Sequence, residues 1–92
     1  MYMDLVLAQH EGNEKPYLFK APGFCHLEAG DEIICETKKG KNKAIVKSCI
    51  TINTNLEEKA YDMILAAAGA TEPLKKVLSK VEYKDFTYTE DE

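Results

Sequence analysis

The stretch EIICETKKGKNKAIVKSCITI, residues 32–52, decides how this chain folds. In its first arm Ile33, Cys35 and Thr37 alternate with Ile34 and Glu36. In its second, Ala44, Val46, Ser48, Ile50 and Ile52 alternate with Ile45, Lys47, Cys49 and Thr51. A period of two sends successive side chains to opposite faces of a strand. The polar run Lys38-Lys39-Gly40-Lys41-Asn42 between the arms predicts a β-hairpin. The second arm is only half apolar, which suits a sheet buried mainly on one side.

Toward the N-terminus, Met3, Leu5 and Leu7 alternate with Asp4, Val6 and Ala8, predicting a strand over residues 2–10. The turn cluster Glu11-Gly12-Asn13-Glu14-Lys15 leads to a partner strand in which Tyr17, Phe19 and Ala21 alternate with Leu18 and Lys20. Pro16 sits at its start, where a missing N–H is tolerated. Ala21-Pro22-Gly23-Phe24 and Leu27-Glu28-Ala29-Gly30-Asp31 are turns that return the chain to the sheet near Glu32.

Toward the C-terminus, Thr54-x-x-Glu57 is a capping-box pattern that predicts a helix from about Asn55. Its apolar stripe is Leu56, Ala60, Met63, Ile64 and Ala67, and Gly69 supplies the stop. Thr71 and Pro73 open a second short helix with a Leu74, Val77, Leu78 and Val81 stripe. Residues 82–88 are strand-like in composition, and residues 89–92 form an acidic tail. The expected fold is a single α+β domain over residues 1–92. A small twisted or barrel-like antiparallel sheet of four to five strands occupies a hairpin-rich half, residues 1–53, and two short helices, residues 54–81, pack on one face or end.

With 45% hydrophobic and 30% charged residues the composition is globular rather than disordered. A chain of 92 residues supports one modest core. The longest apolar run, residues 63–70, is far short of the roughly 20 residues that a membrane span needs. The first residues lack a basic segment, a long apolar run and a cleavage site, so no signal peptide is expected. Cys25, Cys35 and Cys49 are odd in number and form no CxxC pair, which suits a reducing compartment and a cytoplasmic location. No internal repeat is present.

Catalytic and metal-binding signatures are lacking in this pattern. Cys25 and His26 adjoin, but neighbours in an extended chain point apart, which is poor geometry for a thiolate pair. Cys25, His26 and His10 match no zinc spacing. The expectation is therefore a non-enzymatic binding module without a cofactor.

Charge offers two surfaces for binding. The net charge is −4, yet residues 1–53 hold seven lysines against seven acids, while the remainder holds five against nine. Lys38, Lys39, Lys41 and Lys43 fall within six residues on the hairpin tip, with Lys47 further along the strand. Such a projection can hold phosphates in a salt-dependent way, and Tyr17, Phe19 and Phe24 could offer stacking surfaces nearby. This reading gives a module that contacts single-stranded or recessed-end DNA. Alternatively, the chain is a protein-interaction or inhibitor/regulatory module in which Glu57, Glu58 and Asp62, which the helix dipole stabilises at its N-terminus, dock a basic protein partner. An unpaired edge strand could likewise join two copies into a homodimer.

From Val6 to Ser48 the chain also carries Tyr17-Leu18-Phe19, a Pro-Gly turn, Leu27-x-x-Gly30-Asp31-x-Ile33, a turn at Gly40 and Ala44-x-Val46. This pattern resembles the small β-barrel of the N-terminal DNA-end-binding domain of the primosomal replication-restart helicase, and similar polymerase-suppressor-type domains. The resemblance covers about half the chain and implies a barrel-like sheet and capture of a nucleic-acid terminus.

Overall fold

The computed structural model describes residues 1–81. The strands are β1 (Tyr2–His10), β2 (Tyr17–Pro22), β3 (Glu32–Thr37), β4 (Gly40–Asn53) and β5 (Lys75–Lys80), with one helix, α1 (Glu58–Ala68), between β4 and β5. They close into a barrel in the order β1-β2-β5-β3-β4. All neighbours are antiparallel except β2 and β5, a short parallel seam of two residue pairs, Phe19 with Lys75 and Lys20 with Lys76. Closure satisfies backbone groups that an open sheet would leave at its edges. Edge-strand dimerisation therefore has at most this seam to work with among the described strands.

The barrel interior is filled by Val6, Ala8, Phe19, Ala21, Ile33, Cys35, Ala44 and Val46. A second cluster lies on the outer face, where Leu5, Leu18, Ile52 and Leu74 pack against Leu65 of α1. Thus β1 is buried on both faces, Val6 and Ala8 inward and Leu5 outward, and its apolar alternation reflects two cores rather than one. Truncating Leu5 to Ala should cost about 2–5 kcal/mol.

The predicted β1 and its hairpin with β2 are present, as is the β3–β4 hairpin. The faces of β4 differ from strict alternation. Leu7 lies opposite Ser48 and Ala8 opposite Val46, so Lys47 is the extra residue of a β-bulge. Ala44 and Val46 point into the barrel before the bulge; after it Cys49 turns inward and Ile52 turns outward to the helix.

The second helix expected after Pro73 is instead strand β5, so the described residues contain one helix and not two. Leu74, Val77, Leu78 and Val81 have helical spacing, but the barrel can close only if a strand fills the gap between β2 and β3. In that strand Val77 packs toward the barrel core, while Leu74, just before it, joins the outer cluster. Long-range pairing overrides the local period, with β-branched Val77 suited to either state. The predicted strand at residues 82–88 and the acidic tail lie outside the described residues.

The helix also starts later than expected and presents a different face. Its first residue is Glu58, after a turn in which the Asn53 side-chain oxygen accepts the N–H groups of Asn55 (3.0 Å) and Leu56 (3.2 Å). Glu57 accepts the N–H of Asn53 in return (2.8 Å). The Thr54 hydroxyl, expected to cap the helix, donates instead to the carbonyl of Met1. The buried face is Tyr61, Ile64, Leu65 and Ala68, displaced by one residue from the expected stripe. Both stripes have the same spacing, and the one carrying the bulkier Tyr61 and Leu65 takes the sheet. Met63 and Leu56 are left 72% and 82% exposed. Gly69 ends the helix as expected, at φ 66°, a left-handed value that costs glycine little.

Candidate functional site

The two ends of β1 carry different arrangements of polar groups. At the His10 end the β3–β4 hairpin projects beside the β1–β2 loop. Thr37 stiffens the tip: its hydroxyl donates to the carbonyl of Gly40 (2.7 Å) and accepts from the N–H of Lys39 and the Asn42 side-chain amide (both 3.2 Å). Lys38, Lys39, Lys41 and Lys43 stand exposed on this frame. His10 ties the hairpin to β1 through Nδ1 and the carbonyl of Lys43 (3.0 Å), and its ring meets Phe19 edge-on at 5.6 Å.

A groove of about 1430 Å³ runs between this hairpin, the β1–β2 loop and the segment joining α1 to β5. Lys38, Lys39, Lys41 and Lys43 line it together with Lys75, and His10 and Tyr17 contribute rings. Glu11, Glu36 and Glu72 are its acidic members. Glu72 is occupied locally, accepting a 2.6 Å hydrogen bond from the hydroxyl of Tyr61. Burial and that bond push the Tyr61 phenol up to about 12, so it stays a donor at neutral pH.

The predicted lysines are thus brought together, with one exception. Lys47, carried on the bulge, lines a smaller adjoining hollow of about 450 Å³ that it shares with His10, Glu32 and Lys43. Lys43 also lies 3.9 Å from the carboxylate of Glu32, a loose pair in which the lysine is exposed and the glutamate half-buried. Of the three aromatics expected to offer stacking surfaces, Tyr17 alone qualifies at the groove, being 45% exposed with Lys15 above its ring at 5.8 Å. Phe19 is core at 3% exposure, and Phe24 lines neither hollow, stacking on Tyr2 at 5.0 Å instead.

The acidic residues stand at the other end of α1, which meets the groove with its C-terminal residues Ala68 and Gly69. Glu57 serves the turn before the helix, while Glu58 and Asp62 are exposed beside Met63.

At the opposite end of β1, Asp4 is only 1% exposed, the one buried charged residue of the described chain. Its Oδ1 accepts the N–H of Phe24 (2.9 Å) and the hydroxyl of Thr51 (2.5 Å). Its Oδ2 accepts the N–H of Cys25 (3.0 Å) and both the Cys25 thiol (2.9 Å) and the Cys49 thiol (3.5 Å). Burial alone would raise the Asp4 carboxyl, but the donors from Cys25, Thr51 and Phe24 outweigh it and hold the group down at about 2. The thiols move the other way: burial and then the neighbouring carboxylate raise Cys25, and push Cys49 up to about 12. The Cys35 thiol, in the barrel core, is pushed up to about 11 by burial alone.

The loop around Cys25 is fitted closely to β1. A side chain on Gly23 would meet Tyr2 at 2.7 Å, so only glycine allows the approach. Phe24 and His26 hold left-handed φ values of 61° and 62°, which non-glycine residues adopt at a cost. His26 is exposed while Cys25 turns its thiol to Asp4, so the adjacent pair diverges as its sequence suggests.

Nothing in the spacing of residues 4, 25, 49 and 51 points to this cluster, because its partners lie 20 to 47 positions apart along the chain. The one local signal is an Asp inside an otherwise apolar strand. No helix among the described residues is long and apolar enough to cross a membrane. A comparison with known protein families, curated proteins and solved structures finds no match.

Proposed function

We propose that this chain is a non-enzymatic module that binds nucleic acid, as single-stranded or recessed-end DNA, in the groove beside the β3–β4 hairpin. The observation that carries this reading is the clustering of Lys38, Lys39, Lys41 and Lys43 along one groove that also exposes Tyr17. Lysines spaced along a hairpin neutralise successive phosphates, and an exposed ring gives an unpaired base a surface to stack on. Lys75 adds a fifth positive charge from β5. Glu11 and Glu36 limit how deeply a phosphate can enter, so the backbone is expected to track the hairpin rather than the groove floor. The likeness of residues 6–48 to a DNA-end-binding barrel points in the same direction. Three cysteine thiols, none of them in a disulfide, suit work in a reducing compartment such as the cytoplasm.

The test is fluorescence anisotropy of labelled single-stranded and recessed-end DNA at low and moderate salt. It is run beside a variant with Lys38, Lys39, Lys41 and Lys43 changed to Gln. Binding that weakens with salt and is lost in the variant supports the proposal. Absence of binding at low salt overturns it.

A second reading draws on the outward face of α1, where Met63 and Leu56 are exposed next to Glu58 and Asp62. Apolar side chains ringed by acids suit a basic protein partner or a second copy of the chain. Charge reversal at Glu58 and Asp62 would then abolish association while leaving DNA binding unchanged.

A further inference from the structure

We propose that Asp4, Cys25 and Cys49 form a binding site for a thiophilic divalent cation of the zinc class. The three come from β1, the loop between β2 and β3, and β4, and their ligand atoms all lie within 4.8 Å of one another. The Cys25 and Cys49 sulfurs are 2.9 Å and 3.5 Å from the same carboxylate oxygen. A tetrahedral zinc ion bound by two thiolates and a carboxylate holds those atoms at roughly 3.5–3.8 Å from one another, given its bond lengths. The side chains therefore need only small rotations to close around an ion.

The charge balance favours the exchange. Each thiol now spends its proton on Oδ2 of Asp4. When a divalent cation enters, both S–H protons leave to solvent, two S–metal bonds and one O–metal bond form, and no electron is transferred. One carboxylate with two thiols carries a charge of −1, and one carboxylate with two thiolates and a divalent ion carries the same. The net buried charge is thus unchanged, and the two S–metal bonds have to offset the cost of ionising thiols that burial and the Asp4 carboxylate hold protonated, so binding should strengthen as pH rises.

The frame is already set. Thr51 and the N–H of Phe24 fix the other carboxylate oxygen, so Asp4 keeps its orientation while Oδ2 changes partner. This is the kind of outer support that metal-binding carboxylates need. The Cys25 loop is held in place by the contact of Gly23 with Tyr2 and by the left-handed Phe24 and His26. Cys25 and Cys49 are half-buried residues and Thr51 beside them is exposed, so the cluster lies near the barrel surface although Asp4 itself is 1% exposed, and a water would complete the coordination. Cys35 takes no part, being fully enclosed in the barrel core. The site sits at the end of β1 opposite the groove and stands or falls independently of DNA binding.

The experiment is titration of the reduced full chain, in metal-free buffer with a non-thiol reductant, first with Co(II) and then with Zn(II). One equivalent of Co(II) should produce a sulfur-to-cobalt charge-transfer band with the intense visible absorption of a tetrahedral site, and Zn(II) should displace it. Cys25→Ser and Cys49→Ser should each weaken binding at least tenfold, while Cys35→Ala keeps the band. Absence of the band in the native chain, or a full-strength band in either serine variant, overturns the proposal. Should the serine variants fail to fold, alkylation of the native chain decides: Zn(II) should slow modification of both Cys25 and Cys49, and unchanged rates overturn the site.

Discussion

The two ends of β1 place charge in opposite settings. At the His10 end, lysines stand in water around an open groove, few of them paired, and their field acts on whatever approaches. At the Asp4 end, one carboxylate is enclosed and given a donor for nearly every acceptor position it has. The first arrangement contributes little to stability and is sensitive to salt; the second is woven into the fold and is sensitive to acid. Charge left to solvent and charge built into the fold can thus be told apart by burial and by the count of donors.

The largest effect should come from breaking the buried end. Asp4→Ala leaves the N–H groups of Phe24 and Cys25 without their acceptor, each at about 1–3 kcal/mol. Urea unfolding is expected to show a loss of at least about 2 kcal/mol. The Lys38, Lys39, Lys41 and Lys43 to Gln variant should stay within about 0.5 kcal/mol of the native chain. Equal losses in both would erase the distinction.

Acid should sharpen it. The Asp4 carboxyl is held at about 2, below its ordinary 3.8, so its stabilisation of about 2 kcal/mol is fully present above pH 3.8. It is lost as pH falls from there through about 2, because the unfolded chain binds the proton first. Thermal melts across that window should drop more steeply for the native chain than for a folded Asp4→Asn variant. Parallel curves would show that other carboxylates govern acid unfolding.

The next effect belongs to the lysine end and is read in salt. For single strands each neutralised phosphate adds roughly 0.7 to the slope of log affinity against log salt. Removing the four hairpin lysines should flatten that slope by about 2 to 3, whereas Lys47→Gln alone, facing the adjoining hollow, should leave it nearly unchanged, well short of the roughly 0.7 of one phosphate contact. A larger effect for Lys47 would move the phosphate path out of the groove.

The smallest effect is local. Glu57→Ala removes the acceptor for the Asn53 N–H and should cost about 1 kcal/mol by chemical denaturation with no change in DNA affinity. A loss of protein association instead would favour the acidic face as a docking surface.

These two ends were not equally legible in the sequence. The hairpin and its lysines are local features, set by a period of two and a turn of adjacent residues, and both hairpins stand where that pattern puts them. The Asp4 cluster depends on closure of the barrel, which brings residues 25, 49 and 51 to β1, and no short-range rule encodes it. The same cause misdirects the segment after Pro73: Val77 and Leu78 fit a helical stripe until the gap between β2 and β3 requires a strand. The bulge at Lys47 reverses the faces of β4 without a Gly or Pro to announce it. In α1 two stripes of identical spacing compete, and the one carrying Tyr61 and Leu65 packs on the sheet.

The proposed binding of nucleic acid in the groove beside the hairpin rests on its lysines. Anisotropy of a labelled recessed-end DNA, titrated at a series of salt concentrations with the native chain and the four-lysine variant, tests it most directly. Salt-dependent binding is expected of the native chain, with a weaker, flatter response in the variant. Equal affinity and equal slope in the two proteins would contradict it.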